Sequence, residues 1–483
     1  MIRLKREWRD LLWVMLLAFL LLLATLPRVL ERLDPLTGDE PFYVMTAISI
    51  ARDGDLSEAN NYAQRDFDEL YPANPLPSDW RGWPTFPRDL PPHAGSSERD
   101  GLYTKHGLGL SFLIAVPYEL LGRVGAVLLI MLAATLLSGQ VFLLARESGA
   151  PTNLATVLAL ALVIAMPIGP YATLIFPEVP AALLLIYAIR RLAAYSNLWW
   201  QWLLVGSAIG YLPWLHQRFA PTAAVLAAWV LYRLIQRPGW SAIAAALIPI
   251  GLGGFSLLAY NQWLYSMPLQ PVEDHAGFNR LSGTINGGFG LLLDAQWGLW
   301  VAAPVMLLAL AATPRWVQLV PRPARVALAA AAPYVLVVAA YKVWWGEWGP
   351  PARYLVPLVP LAAGPLGCWL ARASTRARVI TGLLWGTGMV LTLIGYQDPQ
   401  RFYHHPDGIN KLVTRFGEII GIDLARALVA FQPYSLAPFP SRLWISLFAL
   451  ALAAALTLLL SRDALRQMTA RLARAAQSRT GWR

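Results

Sequence analysis

The chain alternates long apolar runs with short charged or proline-rich connections from one end to the other. A run of about 20 apolar residues is what an α-helix needs to cross the hydrocarbon core of a bilayer. Runs near that length occur twelve times, at 11–31, 124–145, 152–169, 177–195, 200–216, 218–235, 241–262, 297–313, 326–345, 354–371, 379–396 and 443–461. The stretch 107–121 is also apolar, but it is short and is broken by Pro117 and Gly122. We therefore expect a re-entrant or surface helix there rather than a thirteenth crossing.

Composition agrees with this pattern. Of the 483 residues, 57% are hydrophobic and only 14% are charged, with a mean hydropathy of +0.48. A soluble fold cannot hide that much apolar surface, so the sequence predicts an all-α polytopic membrane protein with about twelve (11–13) transmembrane helices. The net charge of +11 does not indicate nucleic-acid binding, because the basic residues cluster at the ends of the apolar runs. The apolar run after the basic N-terminus is expected to be an uncleaved first span.

The distribution of charge predicts the orientation. If the N-terminus is cytoplasmic, the inner segments hold 21 of the 39 basic residues, and only four acidic residues, Glu7, Asp10, Glu147 and Asp463, oppose them. We expect one transmembrane domain, 1–483, in the inner (plasma) membrane, with both termini cytoplasmic and the elaborated surface on the periplasmic or extracellular face. That surface comprises outer segments 32–123, 263–296 and 397–441, and a basic tail, 462–483, lies inside. The sequence shows no phosphate-binding loop, and the glycine-rich stretch 283–290 is interpreted as a loop between helices.

An acidic pair, Asp39 and Glu40, follows the first apolar run. Two carboxylates at a low-dielectric boundary repel each other, which raises the pKa of one of them and suits a general base. Asp39 could instead simply cap the helix that follows. Residues 42–53 have apolar side chains at helical spacing, which predicts an amphipathic helix lying on the membrane surface, with the acidic pair at its start.

Several cations at predicted outer boundaries could bind an anion. Lys105 and His106 precede a glycine-containing helix start, although an interfacial lysine can also just extend toward water. Arg218, two residues after His216, is costly near hydrocarbon unless it is paired, for example with Glu178. Further residues among aromatic rings at an outer turn form either an interfacial belt or a sugar-and-phosphate pocket; they are Trp345, Glu347, Arg353 and Tyr354.

Metal binding is not predicted, although a divalent cation stays open as a cofactor. His404 and His405 are adjacent and lack the helical spacing that metal sites use, even with Asp398 and Asp407 nearby. His93 lies in a proline-rich loop and indicates little by itself.

Together these residues resemble the GT-C superfamily of membrane glycosyltransferases, in particular the group of protein O-mannosyltransferases and lipid A aminoarabinose transferases. The similarity lies in positions 38–43, with the Asp39–Glu40 pair, followed by 53–56 and 60–62. Segments 105–107, 216–218 and 345–354 also look similar to elements of the bacterial members. Those members often have His or Arg where this chain has Phe42, a departure from the pattern.

The resemblance implies transfer of one sugar from a polyprenyl-phosphate donor to an acceptor hydroxyl on the outer face, with inversion. Asp39 would take the acceptor proton, and Glu40 would orient the acceptor or a neighbouring cation. The expected donor-phosphate ligands are Lys105, His106, Arg218 and Arg353, and the expected pocket residues are Tyr62, Glu178, His216, Trp345, Glu347 and Tyr354. Expected partners are the lipid-linked sugar, membrane lipids and an acceptor glycan, lipid or protein, with no nucleic acid.

Three alternatives remain at this point. A flippase for lipid-linked glycans would be expected to show internal repeats, which are not evident in the sequence. A polymerase or ligase that uses diphosphate-linked oligosaccharides would place key residues in segment 397–441, where Arg401, His404 and His405 occur. A lipid-binding scaffold would use Asp39 only as a helix cap.

Overall fold

A computed structural model describes residues 2–76, 78–80, 87–95, 97–194, 198–236, 239–271, 277–424 and 428–431. In this part of the chain all regular structure is helical, and the only β pairing consists of isolated bridges between Ala94 and Thr104 and between Phe278 and Tyr341. The prediction of an all-helical fold is confirmed. The predicted span 443–461 and the basic tail 462–483 lie outside the described residues.

The α-helices fall into three stretches of the chain. The first contains α1 (Ile2–Leu23), α2 (Leu26–Arg32), α3 (Glu40–Ile48) and α4 (Ala59–Gln64). The second contains α5 (Leu108–Glu147), α6 (Thr152–Ile164), α7 (Ile168–Tyr171), α8 (Glu178–Ala193), α9 (Trp199–Leu215), α10 (Ala220–Gln236) and α11 (Trp240–Tyr265). The third contains α12 (Leu281–Leu293), α13 (Leu299–Ala302), α14 (Val305–Leu319), α15 (Pro321–Ala340), α16 (Ala363–Leu370), α17 (Thr375–Gln397) and α18 (Lys411–Ile420).

Six helical segments among the described residues are long and apolar enough to cross a membrane. They are Glu7–Arg32, Leu108–Glu147, Gln217–Gln236, Trp240–Tyr265, Pro321–Ala340 and Thr375–Gln397. The most apolar stretch of Trp240–Tyr265 is only 11% buried within the protein, and Phe255 is 73% exposed. Apolar surface of this extent is stable against lipid and not against water. The polytopic character follows, while the number twelve remains a prediction.

Helix α5 is interrupted where the sequence indicated a break. At 40 residues it would be about 60 Å long if straight, roughly twice the thickness of the hydrocarbon core. Gly122 has φ 58° and ψ −147°, which is not helical, and it divides the helix into two segments. The break lies where it was expected, whereas a re-entrant or surface position for 107–121 stays a prediction.

Helix α3 does not lie on the membrane surface as an amphipathic helix, so that prediction was wrong. All nine of its residues are buried, and a π-helical turn, Ser49–Asp53, continues it. It packs on α5, where the Ser111 hydroxyl donates a hydrogen bond of 2.9 Å to the carbonyl of Tyr43. The periodicity of apolar residues could not reveal that other parts of the chain cover the polar face as well.

Two further expectations concern stretches rich in glycine or proline. The stretch 283–290 belongs to helix α12 and is not a loop, so that interpretation was wrong. A Cβ at Gly287 would lie 2.2 Å from the carbonyl oxygen of Ala339, so the glycine permits close approach to α15. The predicted span 354–371 is helical, but it consists of a 3₁₀ helix, Arg353–Ala362, followed by α16, since its prolines remove backbone donors. That it crosses the membrane stays a prediction.

Helix α8 is fixed by buried ions at both ends. Glu178 begins the helix and is fully buried. Arg190, near the other end and about 18 Å away along the axis, is 4% exposed and donates from its Nε to Glu147 of α5 at 3.0 Å. Each end of α8 is therefore anchored to neighbouring elements through charge-assisted hydrogen bonds.

Candidate active site

Four charged side chains from distant parts of the chain form a connected cluster, the four-ion cluster: Asp39, Arg353, Glu178 and Arg218. The guanidinium of Arg353 donates to Oδ2 of Asp39 and, from its Nε, to Oε1 of Glu178 at 3.0 Å. Arg218 donates to the same Glu178 oxygen at 2.8 Å. The side chains of Arg353, Arg218 and Glu178 are 6%, 7% and 0% exposed, and that of Asp39 is 18% exposed. Asp39 is therefore the member most open to a ligand.

A strained turn positions Arg353. Trp348 and Ala352 both have left-handed backbone conformations, with φ of 47° and 62°, which are unfavourable for residues with a Cβ. The turn also directs the carbonyls of Gly346 and Glu347 at the guanidinium, which donates to them at 3.0 and 3.4 Å. Contacts of this kind hold the arginine in one orientation between its two carboxylates.

Gly38 brings the acidic pair against this turn. Its φ is +65°, and a Cβ at this position would lie 2.3 Å from the carbonyl oxygen of Trp348. Only glycine allows both the backbone conformation and the close approach. The residue before Asp39 thus joins the first outer segment to the turn that carries Arg353.

Arg218 is placed by a short 3₁₀ helix, Gln217–Phe219. Nδ1 of His216 accepts a hydrogen bond of 3.2 Å from the backbone N–H of Arg218 and caps this helix. The guanidinium lies 4.5 Å from the centre of the Tyr354 ring and 5.3 Å from that of Phe219. Cation–π contacts at this distance stabilise a desolvated arginine.

The pKa values of the two adjacent carboxyl groups, Asp39 and Glu40, shift in opposite directions. Burial disfavours the charge on Asp39, but the charge and hydrogen bond of Arg353 hold its pKa well below the usual range. Burial raises the pKa of Glu40, although Arg123 and several hydrogen bonds oppose this. Asp39 is thus the more readily ionised member of the pair.

Glu40 connects protein segments. Its Oε1 accepts a hydrogen bond of 2.8 Å from the backbone N–H of Ile175, and its Oε2 accepts one of 2.6 Å from the hydroxyl of Tyr403. Both oxygens are therefore engaged by the protein, and Glu40 ties α3 to the turn before α8 and to the third outer segment. The geometry suits a positioning role better than contact with an acceptor.

Lys105 and His106 follow a short antiparallel pairing in the first outer segment. The bridge between Ala94 and Thr104, with the Lys105 N–H donating to the His93 carbonyl at 3.0 Å, brings two histidines together. Nδ1 of His93 lies 3.0 Å from Nε2 of His106. Burial, together with the nearby positive charges of Arg353 and Lys105, lowers the pKa of His106 to about 4, so its imidazole is neutral at pH 7.

The histidine pair stands beside Asp39. One nitrogen of His93, one nitrogen of His106 and one carboxylate oxygen of Asp39 all lie within 4.8 Å of one another. The ring of Phe42 packs against both imidazoles, with centroid distances of 4.2 and 5.7 Å. Phe42 is the position at which the chain departs from the bacterial pattern, and here its apolar ring supports two polar ones.

The remaining predicted pocket residues are placed in two groups. Tyr354 lies beside Arg218, and Nε1 of Trp345 donates to Glu347 at 3.1 Å on the turn that precedes Arg353, so these three residues border the four-ion cluster. The ring of Tyr62 instead packs on Phe67 within the first outer segment, with a centroid distance of 5.8 Å. Within the described part of the chain, no hydrogen bond, ion pair or ring contact joins Tyr62 to the cluster.

The third outer segment contributes structural histidines. Nδ1 of His404 lies 2.8 Å from the carbonyl of Phe402, and Nε2 accepts a hydrogen bond of 3.1 Å from the backbone of Lys411. His405 packs edge-on against Trp348, with a centroid distance of 4.2 Å. His404 thus uses both ring nitrogens within the protein.

Sequence reasoning missed His93 and Tyr43. His93 carries no signal in its own loop, because only the bridge to Thr104 shows that it faces His106. Tyr43 lies beside His106, with a centroid distance of 5.0 Å, and its buried hydroxyl has no hydrogen-bond partner within the described part of the chain. Its position directly after the Asp39–Glu40–Pro41–Phe42 stretch was the only available signal.

A scan against protein-family models found no match, and a search of curated proteins found none either. Among solved structures, the chain is similar to ArnT from Cupriavidus metallidurans in the apo state, with 14% identity and a TM-score of 0.49. It is also similar to the same protein bound to undecaprenyl phosphate, with 15% identity and a TM-score of 0.49. Each alignment covers 93% of this chain and 76% of the other.

Proposed function

We propose that this protein is a glycosyltransferase that moves one sugar from a polyprenyl-phosphate donor to an acceptor hydroxyl at the outer membrane face. The observation that carries the proposal is the four-ion cluster, in which an ionised, partly exposed Asp39 lies against a buried guanidinium. Such a pair offers a proton acceptor and an anion ligand within one side-chain length of each other.

The location of the cluster fits a lipid-borne donor. Asp39 follows the candidate span Glu7–Arg32, Arg218 lies at the start of Gln217–Gln236, and Arg353 follows Pro321–Ala340. Because the three residues belong to one cluster, these three span ends lie on the same side of the molecule. The distribution of basic residues supports assigning that side to the outer face.

The reaction we propose is a single displacement at the anomeric carbon. The acceptor oxygen bonds to that carbon while the bond from carbon to phosphate oxygen breaks, and the electron pair leaves with the polyprenyl phosphate. The proton of the acceptor hydroxyl moves to Asp39. The phosphate gains one negative charge in this step, and Arg353 and Arg218, with Lys105 nearby, stabilise it electrostatically in a water-poor site.

In the resting protein the ion pair with Arg353 makes Asp39 a weak base, and donor binding makes it a stronger one. A phosphate that takes hydrogen bonds from Arg353 draws the guanidinium away from the Asp39 carboxylate. Loss of that partner raises the pKa of Asp39 from its lowered resting position, because the lowering comes chiefly from Arg353. Asp39 would thus become a stronger base only when the donor is in place.

The other predicted residues take supporting roles in this proposal. Tyr354 holds Arg218 by its ring, and Trp345 with Glu347 would form a wall for the sugar, with a ring for stacking and a carboxylate for hydroxyl groups. His216 fixes the backbone at Arg218, and Glu40 positions Asp39. Glu178 keeps both arginines in place as their shared partner.

The test uses the full-length protein in proteoliposomes with radiolabelled polyprenyl-phosphate sugars and a panel of lipid, glycan and peptide acceptors. We expect transfer by the wild type, and a loss of about 10²-fold or more when Asp39→Asn is introduced. The matched control is Arg190→Lys, which alters a second buried Arg–Glu pair at the far end of α8 and should retain transfer. Labelled donor that crosses the bilayer without transfer to any acceptor would instead indicate a flippase.

A further inference from the structure

A cavity of about 340 Å³ lies at the end of helix α8 that points away from the four-ion cluster. Its volume falls in the range of about 300–1,000 Å³ that is typical of small-ligand sites. The carboxyl ends of α5 and α8 and the turn from α14 to α15 form its walls, and the residues that line it are Glu147, Arg190, Ala193, Ala194 and 319–323. None of these residues belongs to the four-ion cluster, so the cavity is separate from the proposed active site.

The lining of this cavity includes two arginines. Arg190 is buried, and among the described residues its hydrogen bonds to Glu147 and Gln140 use three of its five guanidinium N–H groups. The other two can donate to an anion. Arg322, at the start of α15, is exposed. With Glu147 as the acidic residue among the described lining residues, the lining carries a formal charge of +1.

Further arginines lie within one helical turn of the lining residues. Arg191 is in the last turn of α8, and Arg325 is near the start of α15. Arg146 of α5 is paired with Glu7 at 3.6 Å and adds no net charge. The lining residues and these neighbours together carry a formal charge of +3. This exceeds the partial negative charge of the carboxyl ends of α5, α8 and α14, about half a unit each, so the cavity attracts an anion.

The cavity lies where lipid headgroups are expected. The candidate span Leu108–Glu147 ends at it, and the candidate span Pro321–Ala340 begins at it. The distribution of basic residues supports assigning this end to the cytoplasmic leaflet. Apolar side chains line the rest of the cavity, and one of them, Leu319, is 50% exposed. Cationic groups beside an exposed apolar wall match the chemistry of an amphiphile better than that of a small soluble anion.

We infer that this cavity binds the phosphate headgroup of an anionic phospholipid from the leaflet opposite the four-ion cluster. Basic pockets between membrane helices on the cytoplasmic side bind anionic headgroups in other proteins. Arg322 and the remaining N–H groups of Arg190 donate to the phosphate, and the glycerol and the first acyl carbons pack on Leu319 and Val320. The bound lipid joins the ends of α5, α8 and α15. The inference does not depend on the proposed transferase function.

Lipid binding can be measured on the purified full-length protein without any sugar substrate. The protein is delipidated in detergent, and native mass spectra and melting temperatures are recorded as dioleoyl phosphatidylglycerol is added. Dioleoyl phosphatidylcholine, which has the same acyl chains but no net charge, is the control lipid. We expect one tightly held phosphatidylglycerol per chain and a melting temperature that rises with its concentration. Phosphatidylcholine should bind about tenfold more weakly or worse.

Three variants test the location of the site. Arg322→Glu reverses a charge at the cavity and should weaken binding of phosphatidylglycerol by about tenfold or more. Ala194→Phe fills the cavity without changing the charge and should weaken binding as well. The matched control is Arg415→Glu, which makes the same change of net charge on helix α18 and should leave binding unchanged. Size-exclusion profiles identify the folded variants, and Arg322 and Arg415 are both exposed, so their substitution should not disturb packing.

Two results would overturn the inference. The first is equal affinity of the wild type for the two lipids, or equal affinity of Arg322→Glu, Arg415→Glu and the wild type for phosphatidylglycerol. The second concerns the source of the phosphate. If inorganic phosphate raises the melting temperature of the delipidated protein as much as phosphatidylglycerol does at the same concentration, the occupant is a soluble anion and the lipid assignment is wrong.

Discussion

Asp39→Asn is the substitution that most directly tests the proposed chemistry. Asparagine has the shape of aspartate and can still accept a hydrogen bond from Arg353, but it cannot take a proton. A general base contributes about 10²- to 10⁴-fold to a rate, or roughly 2.7–5.4 kcal/mol of barrier. We therefore expect kcat to fall by that factor.

The same substitution should not weaken donor binding. It changes the formal charge of the four-ion cluster from zero to one positive charge, because Arg353, Arg218 and Glu178 remain. A positive cluster attracts the donor phosphate at least as well as a neutral one, so KM for the donor should stay constant or decrease. A purely structural role for Asp39 predicts the opposite, since a displaced Arg353 would raise KM.

The assay is steady-state transfer in proteoliposomes over a range of donor concentrations and of pH. Burial opposes the charge on Asp39, but Arg353 outweighs it and keeps the pKa below the usual range, so Asp39 stays ionised between about pH 5 and 8. Wild-type kcat/KM for the donor, which reports the free enzyme, should accordingly show no loss through protonation of Asp39 in that range. The reasoning would be refuted if kcat of the Asn variant lay within threefold of the wild-type value, or if KM for the donor rose by as large a factor as kcat was expected to fall.

Other predictions concern binding and stability. Arg353→Lys keeps the charge but cannot span two carboxylates. The barrier to transfer should therefore rise by about 2–4 kcal/mol, which lowers the transfer rate roughly 30- to 900-fold. Wild-type kinetics for this variant would contradict the expectation. Burial raises the pKa of Glu58 to about 7 from 4.5, so the folded state binds the proton more tightly and stability decreases as pH rises from about 4.5 to 7. Glu58→Gln should therefore stabilise the protein by about 3 kcal/mol at pH 8 and hardly at pH 4.5, as measured by thermal unfolding; equal effects at both values would contradict the cause. Gly38→Ala should lower the melting temperature more than Gly54→Ala, because both have positive φ but only the first meets the Trp348 carbonyl, and equal shifts would exclude that contact.

The sequence identified the members of the four-ion cluster one by one but not their connections. Each of Asp39, Glu178, Arg218 and Arg353 stands where a charge is costly unless it has a partner, and that physical rule applies to a single position. The pairing itself joins residues 40, 175 and 314 positions apart in the chain, which only packing determines. Only the Glu178–Arg218 pairing had been anticipated, as a structural ion pair.

Burial of helix α3 and the glycines of α12 show where pattern reasoning fails. Apolar periodicity assumes that the polar face meets water or headgroups, but Thr46 of α3 donates to the buried Glu58 instead. A glycine-rich stretch usually indicates a loop, yet Gly290 lies so close to Trp344 that a Cβ would approach its ring to 2.1 Å. In both cases the partner is remote in sequence and leaves no local trace.

The anchoring of helix α8 at both ends has a mechanical consequence. A rod held by ion pairs at its two termini resists sliding along its axis, since any shift would break contacts at both ends together. Under the proposed function, motions that admit the isoprenoid chain of the donor would therefore occur in parts of the protein that pivot around α8, while α8 itself stays in place. Amide hydrogen exchange along α8 should accordingly be among the slowest in the molecule.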